Sequence, residues 1–149
     1  MNNSCCCKKG GVAVLAVYLF KLISAIVLNA WLFKWVFQLQ PVNVWRVMAA
    51  PGKRYYVGTL LVSFFFVLVY KIFGKALTCA CKVKKGLAYG LAVWAVGIVP
   101  AMIATLAFMT VNITVIVYLT ITGLVLTLIE GVIVALLVGD EVEACSIKK

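Results

Sequence analysis

Val115–Val138 reads VIVYLTITGLVLTLIEGVIVALLV, twenty-four residues with a single charge, Glu130, and no proline. At 1.5 Å per residue such a helix is about 36 Å long, enough to cross the roughly 30 Å hydrocarbon layer of a bilayer. A run this long has no polar face to turn toward water. It therefore sets the fold class: helical and embedded in a membrane.

Working outward, the same pattern recurs upstream. Apolar stretches at about 11–32, 55–73 and 86–109 are each long enough to span. The expected fold is an all-α integral membrane protein, a four-transmembrane-helix bundle forming a single membrane domain over 1–149. Composition agrees: the chain is 66% hydrophobic and 12% charged, with a mean hydropathy of +1.16, whereas a soluble domain carries about twice that charged fraction. Residues 1–10, MNNSCCCKKG, place a basic pair before the first span. The apolar stretch after them outruns a signal-peptide core and shows no small-residue cleavage site, so it reads as a retained helix.

The connections carry interface signals. Trp31, Lys34, Trp35 and Phe37 mark the far end of span one, while Tyr55 and Tyr56 open span two and Tyr70 and Lys71 close it. Aromatic rings and snorkelling amines gather at headgroup depth. The segment of about 38–54, with Pro41, Pro51, Arg46, Lys53 and Arg54, is too polar to span. Its Val42, Val44, Trp45, Val47 and Met48 suit a short extracytoplasmic interfacial helix that anchors the chain. Between spans three and four lies only TVNIT. Asn112-Ile113-Thr114 matches a glycosylation acceptor, but so short a loop would hold it against the membrane.

Orientation follows from the basic residues. One side holds Lys8, Lys9, Lys71, Lys75, Lys82, Lys84, Lys85, Lys148 and Lys149; the other holds Lys34, Arg46, Lys53 and Arg54. Basic loops stay in the cytoplasm, so the N- and C-termini are both expected there. The net charge of +10 then reflects this bias and attraction to anionic lipid headgroups. It calls for no nucleic-acid partner.

All six cysteines, Cys5, Cys6, Cys7, Cys79, Cys81 and Cys145, fall on that cytoplasmic side. The cytosol keeps thiols reduced, which argues against a disulfide framework. Cys5, Cys6, Cys7, Cys79 and Cys81 could hold a soft metal ion such as Zn, Cu(I) or Hg, with neighbouring lysines favouring the thiolate. Juxtamembrane cysteines beside lysines are also S-acylation sites in a eukaryotic host. The plainest reading is that thiols are tolerated at an interface. No CxxC spacing and no histidine is present to build a zinc-finger type of site.

Inside the spans, polar residues are sparse and patterned. Thr120, Gly123, Thr127 and Glu130 recur at three- and four-residue intervals on one face of span four, with Gly131 beside it, and Lys21, Ser24, Ala25 and Asn29 form a comparable stripe in span one. Lys21 lies about 15 Å from Gly11 and Glu130 about 13 Å from Gly139 along their helices. Opposite charges at matching depth in hydrocarbon point to a direct contact. Pro100 frees a carbonyl in span three, expected near the same level. The polar intramembrane set is therefore Lys21, Ser24, Asn29, Thr120, Thr127 and Glu130.

A weak internal similarity links the halves. Cys5-Cys6-Cys7-Lys8-Lys9-Gly10 and Cys81-Lys82-Val83-Lys84-Lys85-Gly86 share C-x-x-K-K-G, followed in register by Leu15-Ala16-Val17 and Leu91-Ala92-Val93. That would suit two parallel helical-hairpin repeats, although basic-then-apolar boundaries resemble one another by chance and the second spans do not align.

Catalysis finds no support: histidine is absent, and there is no nucleophile with a base and no glycine-rich phosphate loop. The expected function is transport or permeation of a small solute or ion through the polar intramembrane site, by a homo-oligomer, since four helices enclose little room. The competing class is a non-transporting membrane adaptor or soft-metal-responsive protein acting through its cysteine-rich cytoplasmic face.

Overall fold

The computed structural model of the chain describes residues 3–32, 34–39, 53–74, 76–77 and 81–147, with side chains from residue 10 onward except at 29, 30, 32, 37 and 140–147. Among the described residues the regular structure is helical, without strands. Four helices are long and apolar enough to cross a membrane: Gly10–Leu28, Lys53–Phe73, Lys82–Phe108 and Ile113–Gly139. The expected interfacial segment at 38–54 falls largely outside the described residues.

The first helix is α over Asn3–Ala25 and widens into a π-helical stretch, Ile26–Leu32, followed by a 3-10 turn, Lys34–Gln38. The second is Lys53–Phe73. The third is α over Lys82–Val93, π over Trp94–Ile98 and α again over Val99–Phe108. Proline has no N–H to donate and its ring crowds the preceding turn, so the π turn just before Pro100 is a local widening that accommodates it. A four-residue connection then leads to the fourth helix, Ile113–Ile147, which runs on beyond the apolar part that ends at Gly139. Asn112 caps its start: the Asn112 Oδ1 accepts from the Thr114 N–H at 2.9 Å, a backbone-capping role for the asparagine of the glycosylation-like triplet.

Consecutive helices run antiparallel. Gly10 lies by Lys71, Gly86 by Gly131, Gly90 by Thr127, Gly123 by Ile98 and Gly139 by Lys82. The start of the first helix, the end of the second, the start of the third and Gly139 of the fourth thus gather at one end, together with Lys71, Lys82, Lys84 and Lys85. Lys34, Lys53 and Arg54 lie at the other.

The third and fourth helices form the tightest pair, and glycine makes it so. A Cβ on Gly86 would sit 2.6 Å from the Gly131 carbonyl oxygen and 2.7 Å from Val132 Cα, and one on Gly90 would meet the Thr127 carbonyl oxygen and Leu128 Cα. Gly86-Leu-Ala-Tyr-Gly90 is a G-x-x-x-G step facing Thr127-x-x-x-Gly131, the small-residue arrangement that lets membrane helices touch backbone to backbone. Trp94 pins the pair further along, its indole N–H donating to the Thr120 carbonyl at 2.9 Å.

The main apolar cluster occupies the lysine-rich end, while Val36, Val115 and Ile116 are buried at the other. Ala13 and Val17 of the first helix meet Phe66, Val67 and Tyr70 of the second, Tyr89 of the third, and Val134, Ala135 and Val138 of the fourth. The Tyr89 hydroxyl donates to the Phe66 carbonyl at 2.6 Å, and its ring packs edge-to-face on both Phe66 and Tyr70 at 5.0 Å between centroids. Large apolar side chains instead point outward, among them Leu15, Leu19, Ile23, Phe64, Phe65, Leu68 and Ile103. Such inside-out patterning suits a lipid environment, where hydrocarbon outside is as apolar as leucine and the helices pair through small and polar residues.

Candidate functional site

Toward the other end the helices part. The first, second and fourth, with Ile98 of the third, line a cavity of about 470 Å³. Along the fourth helix it runs from Glu130 to Tyr118, twelve residues or about 18 Å. Arg54, Tyr55 and Tyr118 line it toward the Lys53 end, Lys21 and Glu130 toward the core, and residues such as Leu28, Val62, Leu119 and Leu126 between them.

Lys21 and Glu130 are joined. The Lys21 ammonium donates to both carboxylate oxygens of Glu130, at 2.7 and 2.6 Å. The depth match read from the sequence thus corresponds to a direct, two-oxygen contact between residues 109 positions apart. The two side chains differ in access. Both line the cavity, but the Glu130 side chain is 1% exposed and that of Lys21 22%, so the amine is the accessible member of the pair. Lys21 Nζ also lies 5.7 Å from the Phe66 ring centroid, a cation–π distance. Through Phe66, against which Tyr89 packs, the ion pair abuts the apolar core.

The remaining predicted site residues divide. Ser24 is buried and lines the cavity, as do Thr127 and, from the same stripes, Ala25 and Gly123. Thr127 donates its hydroxyl to its own helix, at the Gly123 carbonyl, 2.9 Å, so toward the cavity it offers acceptor capacity and a methyl group. Thr120 is elsewhere. It shares the helical face only loosely, its carbonyl receiving Trp94 from the third helix while its hydroxyl bonds to the Ile116 carbonyl at 2.7 Å. The Asn29 side chain lies outside the described residues. Pro100 is not level with the charge pair: Gly90 packs at Thr127, and Pro100, ten residues further on, stands about 15 Å beyond along its helix, with its own side exposed.

Of the proposed metal ligands, Cys79 and the side chains of Cys5, Cys6 and Cys7 lie outside the described residues. Cys81 is an exposed free thiol at the start of the third helix, where its carbonyl accepts from the Lys85 N–H at 3.0 Å. Among the described residues no group of three metal-binding side chains converges.

Several lining residues went unread in the sequence. Tyr55 and Thr59 line the cavity and, with the fully buried Ser63 beyond it, form an i, i+4 polar stripe on the second helix: the Thr59 hydroxyl donates to the Tyr55 carbonyl at 2.8 Å and that of Ser63 to the Thr59 carbonyl at 2.9 Å. Tyr118 and Thr122 continue the fourth-helix face by the same spacing. Both stripes were visible as four-residue repeats of hydroxyl side chains. So was the glycine step at Gly86 and Gly90.

No family model matches the chain, and neither curated proteins nor solved structures give a match. The functional reading therefore rests on the cavity and its charges.

Proposed function

We propose that this chain is a four-transmembrane-helix bundle, with both termini cytoplasmic, that moves a small solute or ion across the membrane through the site built on Lys21, Ser24, Thr127 and Glu130. The observation that carries the reading is the cavity of about 470 Å³ that ends on a buried ion pair. Charges at this depth are costly in hydrocarbon and are kept mainly where they line a solute path or a proton relay. Cavities of roughly 300–1,000 Å³ suit small molecules. The antiparallel packing supports the orientation, because it gathers Lys71, Lys82, Lys84 and Lys85 at one end, where cytoplasmic anionic lipid headgroups would meet them.

On this reading the present conformation is open at the Arg54 end and closed at the core end by Phe66, Tyr70 and Tyr89. Passage requires those rings to part, and alternation between the two arrangements is the transport step. The exposed apolar faces are covered by lipid or by further copies in a homo-oligomer.

The test is reconstitution. In proteoliposomes, flux of radiolabelled small organic anions, cations and neutral solutes is compared for the parent protein, Glu130→Gln and a variant lacking Cys5, Cys6, Cys7, Cys79 and Cys81. A carrier loses flux with Glu130→Gln and tolerates cysteine removal. The exposed Cys81 thiol favours one second reading, a soft-metal-responsive adaptor, and that class gives the reverse: function lost with the cysteines and kept without the Glu130 charge.

A further inference from the structure

The sign of the solute follows from which member of the ion pair can be reached. A cation would need the Glu130 carboxylate, which is 1% exposed and has both oxygens taken by Lys21. An anion needs the Lys21 ammonium, which faces the cavity and directs two hydrogen bonds to Glu130 out of the three an ammonium can donate. Arg54, lining the cavity toward the Lys53 end, adds a second positive charge, and such a charge raises the local concentration of anions. The walls decide the rest. Leu28, Val62, Ile98, Leu119 and Leu126 offer apolar surface that a halide or inorganic phosphate would leave unused, and the volume far exceeds either ion.

Charge balance adds a condition. Lys21 and Glu130 together are neutral; an anion added to them leaves a buried net negative charge, which is expensive in a low dielectric. A proton on Glu130 restores neutrality. We propose that the cavity binds a small organic monocarboxylate, its carboxylate on the Lys21 ammonium, together with a proton taken up by Glu130. The inference rests on reading the cavity as a solute site. The exchange balances: carboxylate and proton enter, the Lys21–Glu130 ion pair is replaced by a Lys21–ligand ion pair, and Glu130 is left neutral. Among the described residues, the charged or titratable groups on the elements packed about Glu130 are Lys21 from the first helix, Tyr70 from the second and the buried Lys85 and Tyr89 from the third, with Arg54, Tyr55 and Tyr118 lining the same cavity farther off. Lys21 is the one in contact.

Equilibrium binding of radiolabelled butyrate to the purified full-length protein in detergent tests this without requiring transport. Butyrate should bind the parent protein with uptake of about one proton per ligand from a weakly buffered solution, and its affinity should rise by up to about tenfold for each pH unit lowered. Glu130→Gln should bind butyrate more tightly at neutral pH, with no proton uptake and no pH dependence, and should gain thermal stability from it. Lys21→Met/Glu130→Gln, which removes both charges and leaves none unpaired, should fold and bind at least about tenfold more weakly than the parent. Preferential binding of ethylammonium, equal binding of inorganic phosphate, butyrate binding without proton uptake, or undiminished binding by the double variant would each overturn the proposal. Binding of butyrate with no flux in proteoliposomes would retain the anion site and reject transport; flux of a cation without butyrate binding would do the opposite.

Discussion

Replacing Gly90 with alanine tests the third–fourth helix contact, on which the placement of Glu130 depends. The new Cβ would stand 2.8 Å from Leu128 Cα and 2.9 Å from the Thr127 carbonyl carbon, and closer still to the Thr127 oxygen. All three are backbone atoms, so no side chain can swing aside. Ordinary contact begins at 3.4 Å, so the helices must separate by at least the difference between 3.4 and 2.8 Å, or 0.6 Å. Overpacking of this kind costs about 1–3 kcal/mol. Helix propensity works the other way, since alanine gains about 0.5–1 kcal/mol over glycine within a helix. Controls remove that term: Gly11 and Gly97 have nothing within 4 Å of a built Cβ, so Gly11→Ala and Gly97→Ala receive the propensity gain alone. Reversible unfolding in mixed detergent micelles, followed by tryptophan fluorescence, should place Gly90→Ala below either control by about 1–3 kcal/mol. Gly86→Ala should behave in the same way, its Cβ meeting Val132 Cα at 2.7 Å. If Gly90→Ala and Gly86→Ala unfold with the controls, the backbone contact is refuted, and with it the positioning of the fourth-helix face.

Three further predictions concern charge, orientation and thiols. Lys21→Met and Glu130→Gln should each destabilise the protein in mild detergent, by about 3–5 kcal/mol if breaking this pair resembles breaking one in a soluble protein, and the double variant should recover part of the loss; additive single effects would show that the two are not coupled. A reporter fused after Lys149 should read cytoplasmic, and membrane-impermeant thiol reagents applied from outside should spare Cys81, whose labelling from that side would reverse the orientation. If the cysteines form a soft-metal site, the protein purified under reducing, metal-replete conditions should carry a near-stoichiometric ion by elemental analysis, lost on removing Cys5, Cys6, Cys7, Cys79 and Cys81 together; metal-free protein would leave acylation or simple tolerance of the thiols.

Fold class was legible because hydrocarbon imposes a one-dimensional rule. Every spanning backbone must satisfy its own hydrogen bonds and show apolar side chains for about twenty residues, so length and hydropathy alone pointed to four helices, and the structure has four of sufficient length and apolarity. The depth of a charge is likewise a matter of counting residues from the helix end. Lys21 and Glu130 could therefore be matched before any contact was known, and their hydrogen-bonded geometry adds the orientation that counting lacks.

What the tertiary structure alone decided is which helices part and which close. Whether a polar stripe faces a neighbour or an opening depends on helix rotation and separation, neither of which is encoded in spacing along a single helix. Thr120 and Thr127 share a helical stripe, yet Thr127 lines the cavity while Thr120 does not, its backbone carbonyl taking the Trp94 indole N–H, because glycines at 86, 90 and 131 draw the third helix against the fourth along one ridge and leave the adjacent ridge to the first and second. The sequence by itself determined four helices long and apolar enough to cross a membrane, with a charge pair at matched depth. Only the packing determined that the pair lines a cavity and that, of its two members, Glu130 is almost fully buried while Lys21 stays partly exposed.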